Sequence, residues 1–151
     1  MSKIAKPNGD DYPAAAEKHL LDSQTLLGAR RADGAAYLSG YVVECSLKSI
    51  GELERRSASG SQIPEWKGSD GHRLGSIQSD LATLATIAGS KTARYFGPVC
   101  ASLGSSAILG WKPEQRYQQA SLSMPTAESF VHVADDLFYE VIGQMVLNGD
   151  V

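Results

Sequence analysis

Apolar side chains recur at three- and four-residue steps through most of this chain, the period of a helix that buries one face. In the first segment, Asn8 to Arg31, the turn-forming Asn8-Gly9-Asp10-Asp11 leads to Pro13, whose missing N–H is not needed in a first helical turn. Ala16, Leu20, Ser23 and Leu27 then share one stripe. Arg30 and Arg31 fall near the C-terminal end, where positive charge complements the helix dipole, and Asp33-Gly34 supplies the break. A central helix is expected from Ala35 to Arg56. Leu38, Val42, Cys45 and Ser49 mark one face, and Tyr41 and Leu47 widen the apolar arc, so this helix should be contacted on several sides. Tyr41-Val42-Val43 alone could begin a strand; the length and period around it favour helix.

Ser57 to Gly71, rich in Ser and Gly and containing Pro64, reads as a long exposed connection that Trp66 pins to the body. A third helix is expected over Arg73 to Ala88, with Leu74, Ile77, Leu81, Leu84 and Ile87 in register and Gly89 ending it. Beyond it the pattern weakens. Tyr95-Phe96-Gly97-Pro98 reads as a break, Val99 to Leu109 as a short helix, and Lys112-Pro113 as the start of another connection. The clearest helix runs from Thr126 to about Asn148, where Phe130, Val133, Ala134, Leu137, Phe138, Val141 and Met145 form a continuous face. No repeat and no alternating strand series interrupts this order. The predicted fold class is all-α, an antiparallel bundle of four to five helices forming a single domain over 1–151, with residues 1–10 flexible.

The 151-residue length is ordinary for one domain with one core. A net charge of −3 supplies no global attraction to nucleic acid, so any such contact needs a local basic patch. Cys45 and Cys100 both lie in apolar sequence, as buried free thiols do. No apolar signal core follows the N-terminal lysines, and no apolar run approaches the roughly 18 residues of a membrane span; the expectation is a cytoplasmic protein without membrane contact.

Few residues suggest chemistry. Glu44 and Lys48 stand four apart on the most apolar helix, in the order that favours pairing. Either they satisfy each other at the bundle edge, the more frequent outcome for buried charges, or they line a polar groove for a phosphate or nucleotide. Trp111-Lys112-Pro113-Glu114-Gln115-Arg116-Tyr117 combines aromatics that could stack on a base with an Arg that could fork onto a phosphate. The plainer reading has Trp111 anchoring a loop and Arg116 bonded to Glu44. His72, after Ser69-Asp70-Gly71, suits a capping or positioning role. His19, His72 and His132 lack metal-ligand spacing, so no metal and no cofactor is expected. Neither a Walker-type loop nor a Gly-x-Ser-x-Gly elbow is present.

The stretch Gly40-Tyr41-Val42-Val43-Glu44-Cys45-Ser46-Leu47-Lys48, followed by Gly71-His72-Arg73-Leu74 and by Trp111 to Tyr117, resembles a prokaryotic HEPN domain over roughly Ala15 to Ile142. Such domains are helical bundles that commonly dimerise, and many occur beside small nucleotidyltransferases in toxin–antitoxin or defence systems. The resemblance thus implies a homodimer or a nucleotidyltransferase partner, with a nucleotide or RNA as possible ligand. Some members are metal-independent ribonucleases carrying an Arg followed, after four to six residues, by a His. None of the seven arginines here has a His at that distance; Arg116-Tyr117 runs on into Gln118-Gln119-Ala120-Ser121. The expected function is therefore a non-catalytic binding module with Glu44, Lys48, His72, Trp111, Arg116 and Tyr117 as ligand- or partner-binding residues. The alternative is a ribonuclease with a rearranged site that recruits His72 or His19 through space.

Overall fold

A computed structural model describes residues 1–57, 63, 65–66, 71–119 and 122–151, with the backbone alone for 98 and 100–102. All regular structure among these residues is helical, as the sequence pattern predicts. Helix α1 (Tyr12–Gly28) and helix α2 (Ala32–Arg55) form an antiparallel hairpin; α3 (Leu74–Ala85) and α4 (Lys91–Leu103) follow. Two 3₁₀ turns, Ala107–Gly110 and Pro113–Tyr117, lead to α5 (Met124–Phe138), which passes through a π-helical turn (Tyr139–Gly143) into the short α6 (Gln144–Leu147). Asp11 caps α1 by accepting from the Ala14 N–H, and Ser123 caps α5 by accepting from the Thr126 N–H.

The hairpin break lies earlier than Asp33-Gly34. Asp33 and Gly34 belong to the first turn of α2, and the chain reverses at Arg30, whose φ of 58° is left-handed. The Arg30 N–H donates to Leu27 O and the Arg31 N–H to Leu26 O, the paired bonds of a Schellman motif built here without glycine. The carboxylate of Asp33 instead accepts from the Leu122 N–H, tying the start of α2 to the entry of α5.

Helix α2 is the axis of the bundle, packed against α1, α3, α4 and α5. Every residue from Val42 to Leu53 is buried. That burial confirms contact on several sides and leaves no exposed apolar side chain on α2. Gly40 and Gly51, eleven positions apart and so on one face at about 100° per residue, each receive an indole. A Cβ on Gly40 would lie 2.2 Å from Trp111, and one on Gly51 would lie 2.4 Å from Trp66. Trp66 also donates to Asp80 on α3 at 2.8 Å, so it does pin its connection; 58–62, 64 and 67–70 of that connection lie outside the described residues.

Tyr95-Phe96-Gly97-Pro98 does not break the chain. Helix α4 runs through Pro98 to Leu103, and the expected helix from Val99 to Leu109 is replaced by the second half of α4 and a 3₁₀ turn. An interior proline costs about 3 kcal/mol. Tyr95, Phe96, Val99 and Leu103 are buried along one face, at about 1.5–3 kcal/mol per large side chain, which outweighs that cost.

Part of the 1–10 segment lies against the body. Ile4 is buried, Ser2 bonds the Asp11 carboxylate through its N–H and hydroxyl, and Arg56 donates to the carbonyls of Lys3 and Ala5. At the other end, Asp150 accepts from the Tyr95 hydroxyl and pairs with Lys91 at 3.6 Å, fastening the last turn to α4. No helix among the described residues is long and apolar enough to cross a membrane.

Candidate functional site

One stripe of α2 carries Tyr37, Tyr41, Glu44 and Lys48, side chains with an apolar stem and a polar tip at helical spacing. Glu44 is 4% exposed and Lys48 6%, so each needs a partner. Lys48 Nζ donates to Glu44 Oε1 at 2.7 Å. The other oxygen, Oε2, lies 2.9 Å from His72 Nδ1. A carboxylate can only accept, so Nδ1 carries the proton and the imidazole is oriented by this bond. His72 sits in a short 3₁₀ turn before α3, whose N-cap is Arg73. It is a positioned side chain and not a helix cap.

The pairing of Glu44 with Arg116 is overturned. Both oxygens of Glu44 are taken by Lys48 and His72, and Arg116 instead donates to the Tyr117 hydroxyl at 2.7 Å with its guanidinium carbon 4.6 Å from that ring. The i,i+4 partner and a histidine on the facing turn reach the buried carboxylate first. Hydrogen bonding to Tyr117, and then to Tyr37, raises the Arg116 pKa above its ordinary value.

Trp111 is 1% exposed and works from within. Its ring meets Tyr41 edge-on at 4.8 Å and Tyr37 at 6.0 Å, while His19 stacks on the far side of Tyr41 at 5.3 Å. The Tyr37 and Tyr41 hydroxyls share a hydrogen bond of 3.0 Å. Burial, and then this bond, pushes the Tyr41 pKa up. Burial, helped by nearby Lys18, holds His19 below the usual imidazole range, and its Nδ1 has no partner. His132 is exposed on α5 and lies 3.4 Å from Asp136.

Three grooves border this region among the described residues, and none of them brings Glu44, Lys48, Arg116 and Tyr117 together. A groove of about 330 Å³ contains Tyr37, Gln115, Arg116, Gln118 and Gln119 with Asp33 at its edge. A second, of about 380 Å³, lies across the Pro113–Tyr117 turn and is lined by His72, Arg73, Lys112, Pro113, Glu114 and Gln118. Lys48 opens onto a third, of about 240 Å³, with Lys6, Tyr12, Glu52, Arg55 and Trp66. Lys6 Nζ donates to the Tyr12 hydroxyl at 2.9 Å and lies 4.7 Å from the ring centroid, and Lys48 Nζ lies 5.7 Å from the same centroid. Sequence reasoning named Glu44, Lys48 and His72 without the contact between Glu44 and His72, and it did not single out Tyr12, Tyr37, Gln115 or Gln118 as lining residues. The spacing of Tyr37, Tyr41, Glu44 and Lys48 was the one signal that could have exposed the stripe.

No group of three or more His, Cys, Asp or Glu able to hold a metal ion occurs among the described residues. Cys45 is buried and free, its thiol pushed up to about 12 by burial and by Glu44. No family model, curated protein or solved structure matches the chain.

Proposed function

We propose that this chain is a HEPN-like binding module that takes a nucleotide in the groove at Arg116 and acts as a homodimer or with a nucleotidyltransferase partner, in a cytoplasmic toxin–antitoxin or defence-type system. The observation that carries the ligand is Arg116 itself. It is exposed where it lines the groove, its described bonds go to tyrosine hydroxyls, and no carboxylate pairs with it among the described residues. A guanidinium in that state can fork onto a phosphate. Around it, Tyr37 offers a ring, and the amides of Gln115, Gln118 and Gln119 can both donate and accept toward a base edge. Apart from Asp33, whose carboxylate is engaged by the Leu122 N–H, the described residues of this groove include no group suited to proton transfer near neutral pH, which favours binding over chemistry.

Exposed Leu21, Tyr139, Val146 and Leu147 supply apolar surface for a second copy. Calorimetric titration with AMP tests the ligand: wild type binds and Arg116→Ala loses at least about tenfold in affinity, or 1.4 kcal/mol. No heat with AMP ends the nucleotide reading. Light scattering tests the dimer, and a monodisperse monomer at micromolar concentration removes it.

The bond between Glu44 and His72 favours a second reading, a ribonuclease with a rearranged site, because a carboxylate that orients an imidazole is also how general bases are held. Purified chain is expected to cleave RNA no faster than the His19→Ala, His72→Ala, His132→Ala triple variant. Cleavage by wild type that vanishes in the triple variant would put the ribonuclease reading first.

A further inference from the structure

We infer that the groove of about 380 Å³ beyond the Pro113–Tyr117 turn is a separate anion site, in which His72 and Lys112 hold the oxygens of a phosphate group. The inference rests on the ligand-binding reading only for the choice of a phosphate-bearing ligand. Four features of the groove support it. Glu44 fixes His72 through Nδ1 at 2.9 Å, so Nε2 is the ring nitrogen left to meet a ligand, and the side chain is 41% exposed where it lines the groove. Glu44 is itself held on its other oxygen by the buried Lys48, so the imidazole is aimed by a rigid chain of two charge-assisted bonds and not by a mobile surface contact. Lys112 is exposed, and no carboxylate pairs with it among the described residues; its ammonium offers three donors. Arg73 adds a further positive charge to the wall, opposed by Glu114.

The chemistry selects phosphate. A phosphate monoester has a second pKa of about 6, so near neutral pH it arrives as a mixture of P–OH monoanion and dianion. Nε2 accepts from the P–OH, or, once that proton has passed to the ring, donates back to the same oxygen. One hydrogen bond forms in either case and the proton count is unchanged. Gln118 lines this groove and the Arg116 groove alike, so its amide borders both.

The experiment is a titration of the full chain with inorganic phosphate, followed by calorimetry and by the ¹⁵N signals of labelled histidine. Three variants accompany it. His72→Asn retains an amide that can reach Glu44 but removes Nε2, Lys112→Ala removes the exposed ammonium, and Glu114→Gln removes the opposing charge. Saturable binding with a shift confined to His72 Nε2 is expected, weakened at least about tenfold in His72→Asn and Lys112→Ala and tightened in Glu114→Gln. No His72 shift on adding phosphate, or wild-type affinity in Lys112→Ala, overturns the inference; Lys112 is exposed, so that variant decides even where His72→Asn misfolds. AMP binding that depends on Arg116 without any phosphate binding would sink this site alone, and phosphate binding without AMP binding would sink only the nucleotide groove.

Discussion

Gly40→Ala is expected to destabilise the protein by about 2 kcal/mol, although alanine is the better helix former. The added Cβ would lie 2.2 Å from Cδ2 and Cε2 of Trp111 and 2.3 Å from its Nε1. Carbon atoms in contact sit about 3.5–4.0 Å apart, so the indole must retreat by more than about 1 Å. It has nowhere to go: the ring is 1% exposed and already abuts Tyr37 and Tyr41. Overpacking of this kind costs about 1–3 kcal/mol, and the retreat loosens the aromatic cluster as well. Replacing an interior helical glycine returns at most about 1 kcal/mol. At about 2–4 °C per kcal/mol for a domain of this size, the melting temperature should fall by about 4–8 °C. Urea unfolding followed by tryptophan fluorescence checks the value, and an altered native emission spectrum is expected because the substitution moves the ring. Gly75→Ala is the control, since nothing lies within 4 Å of its Cβ position; it should gain about 0.5 kcal/mol. A Gly40→Ala variant as stable as wild type, with an unchanged spectrum, would refute the reasoning and with it the close packing of Trp111 on Gly40 of α2.

Arg30→Gly should stabilise by about 1 kcal/mol, because a left-handed φ of 58° costs a side-chain-bearing residue about 1–2 kcal/mol, less what glycine adds to the unfolded entropy; thermal melts decide, and a loss would show that the arginine side chain matters more than its backbone. Glu44→Ala should cost about 3 kcal/mol by stranding the buried Lys48 ammonium, and Glu44→Met with Lys48→Met should recover most of it, whereas a double variant as unstable as the single one would contradict the buried-pair account. Alkaline pH should destabilise: folding raises the Cys45 thiol from 9.0 to about 12 and raises Tyr41 and Tyr95 as well, so the folded state holds protons that the unfolded state releases. Stability is full below about pH 9 and is lost as pH rises toward 12; urea midpoints measured across that window check it, and Cys45→Ala should flatten the slope.

The sequence by itself determined α1, α2, α3 and α5 and their buried faces, because a three-to-four residue apolar period can be satisfied only by one-sided burial of a helix. It also marked Glu44 and Lys48 as a pair, since an i,i+4 contact is local geometry. Three things were decided only by tertiary packing. Pro98 remains inside α4 because distant helices bury the side chains on either side of it, which no local propensity records. Asp33-Gly34 opens α2 and does not break the hairpin, with the Asp33 carboxylate tied to the Leu122 N–H from 89 positions away. The candidate site belongs to the same class. His72 meets Glu44 across 28 positions, and Trp111 finds Gly40 across the bundle. Local sequence encodes periods and neighbours, and these contacts depend instead on how the helices come to rest against α2.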